Sequence, residues 1–224
     1  MAASLVSGLA CFPASHVLAQ EQGDLTYDQE LKRWLTPEEI GHVEVYLTED
    51  EAAKLMFPDS ERIRKEVLSL TAEQKALVEN RIGWSFPEQS FDVYLGETNG
   101  KIDGYAVVQN TIGKYRPITY MVGVDPTGRV MNFEVLVYRE SRGNEITRKR
   151  FNYQYEGKTV FDPIRINRDI INITGATMSV RSASAGVKRV LVLVDEFYLK
   201  PRGLGSNHVA RKAEKGLFET LFGF

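Results

Sequence analysis

Residues 91–139 read FDVYLGETNGKIDGYAVVQNTIGKYRPITYMVGVDPTGRVMNFEVLVYR, and this stretch decides the fold. Four runs rich in Val, Ile, Tyr and Phe, at 91–97, 102–111, 118–124 and 130–139, are separated by Asn99-Gly100, by 114–117 and by Asp125-Pro126-Thr127-Gly128. β-Branched and aromatic side chains suit a pleated, half-buried surface, and the intervening residues are turn formers. The stretch therefore predicts four consecutive antiparallel strands. In the last of them Phe133, Val135 and Val137 fall on one face and Glu134, Leu136 and Tyr138 on the other, so one face must meet a helix or a second layer.

Working outward, Ala183, Val187, Val190, Leu191, Val194 and Phe197 recur at helical spacing with Lys188, Arg189 and Asp195 between them. They predict an amphipathic helix that covers the sheet and ends before Pro201. Residues 145–155 predict a short polar helix closed near Gly157. Upstream, a helix-start signature occurs three times in 20–86: Thr36-Pro37-Glu38-Glu39, Thr48 with Glu51, and Thr71 with Gln74. Each joins a capping hydroxyl to an acidic or amide residue three positions on, which predicts three short helices, with a strand over 62–70 and a stop at Gly83. Trp34 and Trp84 are expected at helix ends as core anchors. The fold class is α+β: an antiparallel meander covered by helices over 87–200, with a small N-terminal helical annex over 20–86.

Both ends are expected to differ from this body. Residues 1–19 are apolar, carry no charge and end in Val17-Leu18-Ala19 before Gln20, which predicts a secretory signal. The tail, 201–224, combines Arg211, Lys212 and Lys215 with Leu217, Phe218, Leu221 and Phe222. It is either an amphipathic helix for a partner or membrane surface, or a frayed terminus.

Charge and sulfur content narrow the chemistry. The 224 residues hold 28 basic and 30 acidic side chains, a net charge of -2, so no overall field draws in nucleic acid. The single thiol, Cys11, lies inside the expected signal, so a processed chain offers no disulfide, thiolate nucleophile or iron–sulfur ligation. His16, His42 and His208 match no metal-ligand spacing, and no metal is expected. Redox chemistry would then require a borrowed cofactor.

The stretch best suited to hold one is Thr174-Gly175-Ala176-Thr177, between the apolar run Ile170-Ile171-Asn172-Ile173 and the long helix. Gly175 and Ala176 allow close approach to the backbone, and the helix start offers free N–H groups and a positive dipole end. Ser179, Arg181, Ser182 and Ser184 add donors. These features support an anion site, while Thr174 or Thr177 serving merely as the helix cap accounts for the same residues.

Asp169-x-x-Asn172-x-Thr174-Gly175-Ala176-Thr177 resembles the flavinylation motif of the FMN-binding domain found in the C subunit of sodium-pumping NADH:quinone oxidoreductases and the G subunit of the Rnf complex. The segment Tyr138-Arg139-Glu140-Ser141-Arg142-Gly143-Asn144-Glu145 resembles that family's strand-to-loop segment beside the flavin, and the likeness spans about 91–199 in order. It implies FMN joined by a phosphoester to Thr177, with Asp169 recognised by a flavin transferase. It also implies a cofactor environment of Thr174, Gly175, Ala176, Ser179, Tyr138, Glu140, Ser141, Arg142 and Gly143. Tyr115 and Tyr120 are further ring neighbours to consider, as are Arg142, Lys188 and Arg189 for phosphate charge. Asn172 departs from the family, which often has a hydroxyl residue there, and no apolar stretch has the length of a bilayer anchor. The expected protein is an exported, periplasmic or membrane-associated electron carrier working between redox partner proteins. The alternatives are a flavin-dependent reductase of a small acceptor, or a binding module in which the motif only caps a helix.

Overall fold

The structure, a computed structural model, describes residues 26–28, 32–36, 43–140 and 143–206. The expected signal, the first capping signature beyond Thr36, Ser141, Arg142 and the basic part of the tail lie outside these residues. Two compact units are present, divided between Gly41 and His42. In the first, β1 (Thr26–Asp28) pairs antiparallel with β2 (Arg33–Leu35), and the Tyr27 and Trp34 rings meet edge to face at 5.4 Å. Trp34 is thus on a strand, with 62% of its surface exposed, and is no helix-end core anchor. A cross-strand aromatic pair holds it.

The second unit is a six-stranded antiparallel sheet in the order β3-β8-β7-β6-β5-β4. The predicted meander is β5 (Ser90–Thr98), β6 (Lys101–Ile112), β7 (Pro117–Val124) and β8 (Val130–Tyr138). The preceding stretch supplies both edges: β3 (Glu44–Val45) pairs with β8, and β4 (Arg62–Ser69) pairs with β5 along its whole length. Residues 43–86 are therefore tied into the sheet. Their two helices form as the capping signatures require. Thr48 and Glu51 close a reciprocal box on α1 (Glu49–Met56), and Thr71 and Gln74 do so on α2 (Ala72–Ile82), which stops at Gly83.

Helices cover both faces. Ala52, Ala53, Met56 and Phe57 of α1 and its C-cap pack on Tyr94, Ala106, Val108, Met121 and Leu136. On the opposite face α2 and the long helix α4 (Thr177–Val194) pack on Val107, Tyr120, Val122, Phe133 and Val135. Each fully buried Val or Leu of α4 contributes roughly 1.5–3 kcal/mol, enough to override the modest helix propensity of its many valines. Between β8 and α4 lie a short 3-10 turn (Asn144–Thr147) and α3 (Lys149–Asn152).

One irregularity in the meander redirects the site. Thr119 pairs with Val137 and its neighbour Tyr120 with Val135, which leaves Leu136 as an extra residue. This bulge inverts the alternation beyond it. Tyr138, expected on the face of Glu134 and Leu136, instead joins the cluster of Phe133 and Val135 beneath α4, while Val137 packs on the α1 side.

The chain beyond α4 also departs from the simple amphipathic expectation. The helix passes into a wider turn at Asp195–Leu199 and a 3-10 turn at Lys200–Arg202, ending at Gly203. Two of its charged residues, Arg189 and Asp195, are not solvated. Arg189 is 2% exposed, pairs with Glu88 at 2.9 Å and Gln109 at 2.7 Å, and lies over the rings of Trp84, Phe86 and Phe91. Asp195 is equally buried and is held by Arg81 and Ser206.

Candidate functional site

The two segments singled out in the sequence meet at the start of α4. Gly143 adopts a left-handed backbone, φ +87°, and any Cβ there would stand 2.8 Å from the Ala176 Cβ and 2.9 Å from the Tyr138 hydroxyl. Gly143 therefore lies directly on the motif, an approach that only glycine permits. Gly175, φ +86° with no atom near its missing Cβ, makes the turn into the helix. Tyr138, fully buried through the bulge, reaches Ser179 at 3.5 Å between hydroxyl oxygens, and burial pushes its pKa up to about 12.

Neither threonine caps the helix. The N-cap is Ala176, without a side-chain cap bond, and Thr177 is the first helical residue. The first α-helical bond is Val180 N–H to the Ala176 carbonyl, so the Thr177, Met178 and Ser179 amides have no backbone acceptor among the described residues. The Thr177 hydroxyl accepts a 2.9 Å hydrogen bond from the Asn172 amide. Three unclaimed N–H groups, the positive helix end and a positioned hydroxyl make a place for a phosphate.

Thr177 lines two grooves. One, of about 520 Å³, runs between Lys114 and Tyr115 on one side and Met178 and Ser179 on the other, with Glu140 in its wall. Its size falls within the roughly 300–1,000 Å³ of small-molecule sites, and it offers a half-exposed tyrosine and a thioether. Glu140 is 6% exposed and accepts from the Tyr115 and Arg116 amides at 2.6 and 3.0 Å, so its carboxylate fixes the β6–β7 loop that forms the wall. The second groove, about 760 Å³, is bounded by Trp84, Phe161, Arg165, Arg168, Arg181 and Lys188 among others.

Other expected residues sit elsewhere. Tyr120 is wholly buried, stacked on Phe133 at 4.9 Å with its hydroxyl near Thr111, and is a core residue. Asp169 does not touch Thr177. Its carboxylate accepts from the Ile164 and Arg165 amides at 3.0 and 2.8 Å and pairs with Lys158 at 3.0 Å. Burial opposes its charge, but these partners prevail and hold its pKa below the usual carboxylate value. Lys188 donates to the Val160 and Asp162 carbonyls, and burial lowers its pKa. Ser184 is buried against the Tyr155 hydroxyl at 3.0 Å. Sequence reading missed Lys114, Met178, Arg165 and Arg168. The turn at 114–117 was the signal for the first; the others carry no local pattern.

Among the described residues no group of three His, Cys, Asp or Glu side chains could hold a metal, and no helix is long and apolar enough to cross a membrane. Residues 113–192 match the FMN-binding domain family. The G subunit of the Na+-translocating ferredoxin:NAD+ oxidoreductase complex of Acetobacterium woodii is 25% identical over 141 residues, covering 55% of this chain and 68% of that protein. NqrC of Shewanella oneidensis aligns over 62% of this chain and 81% of its own, with 14% identity and a TM-score of 0.43. The C subunit of the Na+-translocating NADH-quinone reductase of Parabacteroides distasonis aligns over 68% and 87%, with 15% identity and a TM-score of 0.40. The matched segment begins at the turn after β6 and ends in α4, so it contains both walls of the smaller groove.

Proposed function

We propose that this protein, with an FMN-binding domain matched over 113–192, is an exported flavoprotein that carries FMN through a phosphoester on Thr177 and relays electrons between redox partners. One observation carries the attachment site: Thr177 is not consumed as a helix cap, and its hydroxyl stands between two grooves beside three unclaimed amides. The residues present fit the cofactor. The Thr177, Met178 and Ser179 amides would hold the phosphate. Tyr115 and Met178 would flank the ring system, and Glu140 would face it from the groove wall.

FMN, once bound, supplies reversible one- or two-electron chemistry that no side chain of this protein can. The protein's own part is positional. Glu140 pins the loop bearing Tyr115, Gly143 lets that side of the sheet rest on Ala176, and Asn172 orients the Thr177 hydroxyl. A covalent link suits an exported carrier, because it holds the flavin irrespective of the free concentration outside the cytoplasm. Asp169 would mark the motif for a flavin transferase through the loop that it shapes, rather than by contact with Thr177.

The test is the intact mass of the chain co-expressed with a flavin transferase. One FMN less one water should be gained, and the gain should vanish in Thr177→Ala. No gain, or a gain that survives the substitution, refutes the attachment. The arginine-lined groove favours a second reading, reduction of a small anionic acceptor by the same flavin. That reading requires reoxidation of the reduced protein to speed up and saturate with the acceptor.

A further inference from the structure

The larger groove holds more positive charge than the fold uses. Five cationic residues line it, and two of them are already engaged. Arg81 pairs with Asp195 and Glu196 at 2.7 and 2.6 Å, and Lys188 is bound to two backbone carbonyls. Asp162, the acidic residue of the wall, is turned back on Thr159, whose amide and hydroxyl it accepts from at 2.7 Å. Arg165, Arg168 and Arg181 remain, and none of the three has a carboxylate partner among the described residues.

The loop presenting two of these arginines is held in an uncommon conformation. Ile164 and Asn167 have φ of +48° and +63°, and for a β-branched residue such as Ile164 this is a costly backbone. Asp169 and Lys158 maintain it through the Ile164 and Arg165 amides. A strained, braced loop with unpaired guanidiniums is organised for something outside the chain.

The remaining walls describe that ligand. Trp84 lines the groove, and Phe161, 63% exposed, presents a ring that the core does not require. Among the described residues the Asn172 side-chain oxygen is buried without a hydrogen-bond partner. Guanidiniums recognise phosphates bidentately, exposed aromatic faces take planar bases, and an orphan carbonyl suits an amino donor.

We propose that this groove binds a nucleotide with adjacent phosphates, its phosphates on Arg165, Arg168 and Arg181 and its base against Phe161 and Trp84. The site is separate from the flavin seat beside Tyr115 and shares only the Thr177 edge with it. A donor or acceptor dinucleotide and the adenylate half of FAD present the same chemistry, so the ADP moiety is the defining probe.

Calorimetric titration of the full chain with ADP, pyrophosphate and adenosine tests this directly. ADP should bind in the micromolar range, weaken as salt is raised, and exceed both of its halves. Arg168→Ala and Arg181→Ala should each lose at least tenfold, with unfolding temperatures near wild type, while Arg62→Ala, an exposed arginine on β4, should not change binding. The chain produced without a flavin transferase should show the same ADP binding, so failure of flavin attachment and failure of this site are distinguishable. Titrating NADH and FAD into the flavinylated protein then separates the two sources. Absence of ADP binding at millimolar concentration, equal binding of adenosine, or an unchanged Arg168→Ala/Arg181→Ala variant overturns the proposal. So does loss of ADP binding on flavinylation, since the groove would then be the flavin's own seat.

Discussion

Gly143→Ala isolates the contact that joins the two halves of the candidate site. Two costs arise. An alanine at φ +87° carries a left-handed penalty of about 1–2 kcal/mol whatever surrounds it. Its Cβ would also stand 2.8 Å from the Ala176 Cβ and 2.9 Å from the Tyr138 oxygen, both buried, which adds overpacking of about 1–3 kcal/mol. Gly175→Ala is the internal control, since that position has φ +86° and nothing within 4 Å of the new methyl. The difference between the two variants is therefore the contact alone. At about 2–4 °C per kcal/mol for a domain of this size, Gly143→Ala should melt about 2–12 °C below Gly175→Ala. Adding Ala176→Gly should return part of that gap by removing one of the two clashing groups. Urea denaturation followed by fluorescence supplies the free energies. Equal destabilisation by the two glycine substitutions would refute the packing of the β8 loop on the motif.

Three further perturbations test the supports of the site. Glu140→Ala leaves the Tyr115 and Arg116 amides without their acceptor at a cost of about 1–3 kcal/mol, and hydrogen exchange at those two amides should accelerate roughly tenfold or more. Arg189→Met strips the counter-charge from Glu88. Breaking a buried pair costs about 3–5 kcal/mol, but the Glu88 side chain is 30% exposed, so about 2–3 kcal/mol is expected by denaturation, reduced when Glu88→Gln is added. Asp169→Asn should cost about 2 kcal/mol near neutral pH. Because the folded pKa of Asp169 is depressed, its stabilisation is present above the ordinary carboxylate value of about 3.9 and is lost as pH falls through the lower folded value. The gap between wild type and Asp169→Asn should hold from pH 5 to 8 and close in more acidic solution; a gap that widens on acidification would contradict the assignment.

What was legible in the sequence follows from how local each signal is. The meander, the two described capping boxes and the helix after the motif were readable because turn residues, caps and periodicity are written within a few positions of their effect. The edge pairings of β3 and β4 were not, since no residue in 44–45 or 62–69 names its partner across the sheet. The bulge at Leu136 was hidden for a related reason. It depends on the β7 register, and strict alternation through Val135, Leu136 and Val137 put Tyr138 on the wrong face. The sequence puts Arg189 and Lys188 between the apolar positions of an amphipathic helix, where charge is normally exposed. Their burial is decided by Glu88, Gln109 and the carbonyls of Val160 and Asp162, all at least 26 residues away.

The candidate site shows the same division. Thr177 and Gly175 stand out in the sequence because the chemistry of a helix start is local, and Gly143 through the family resemblance alone, whereas the groove walls come from five separate segments. The bulge supplies the link between the two scales. With Leu136 extruded, the Tyr138 ring passes beneath α4, Gly143 can reach Ala176, and the helix start is held over the sheet edge with open space on both sides. Without the extra residue, Tyr138 would point toward α1 and the loop after β8 would lose its anchor on the motif. A single deletion at Leu136 should therefore damage the start of α4 more than the distant β4–β5 pairing, although Leu136 itself faces the opposite layer.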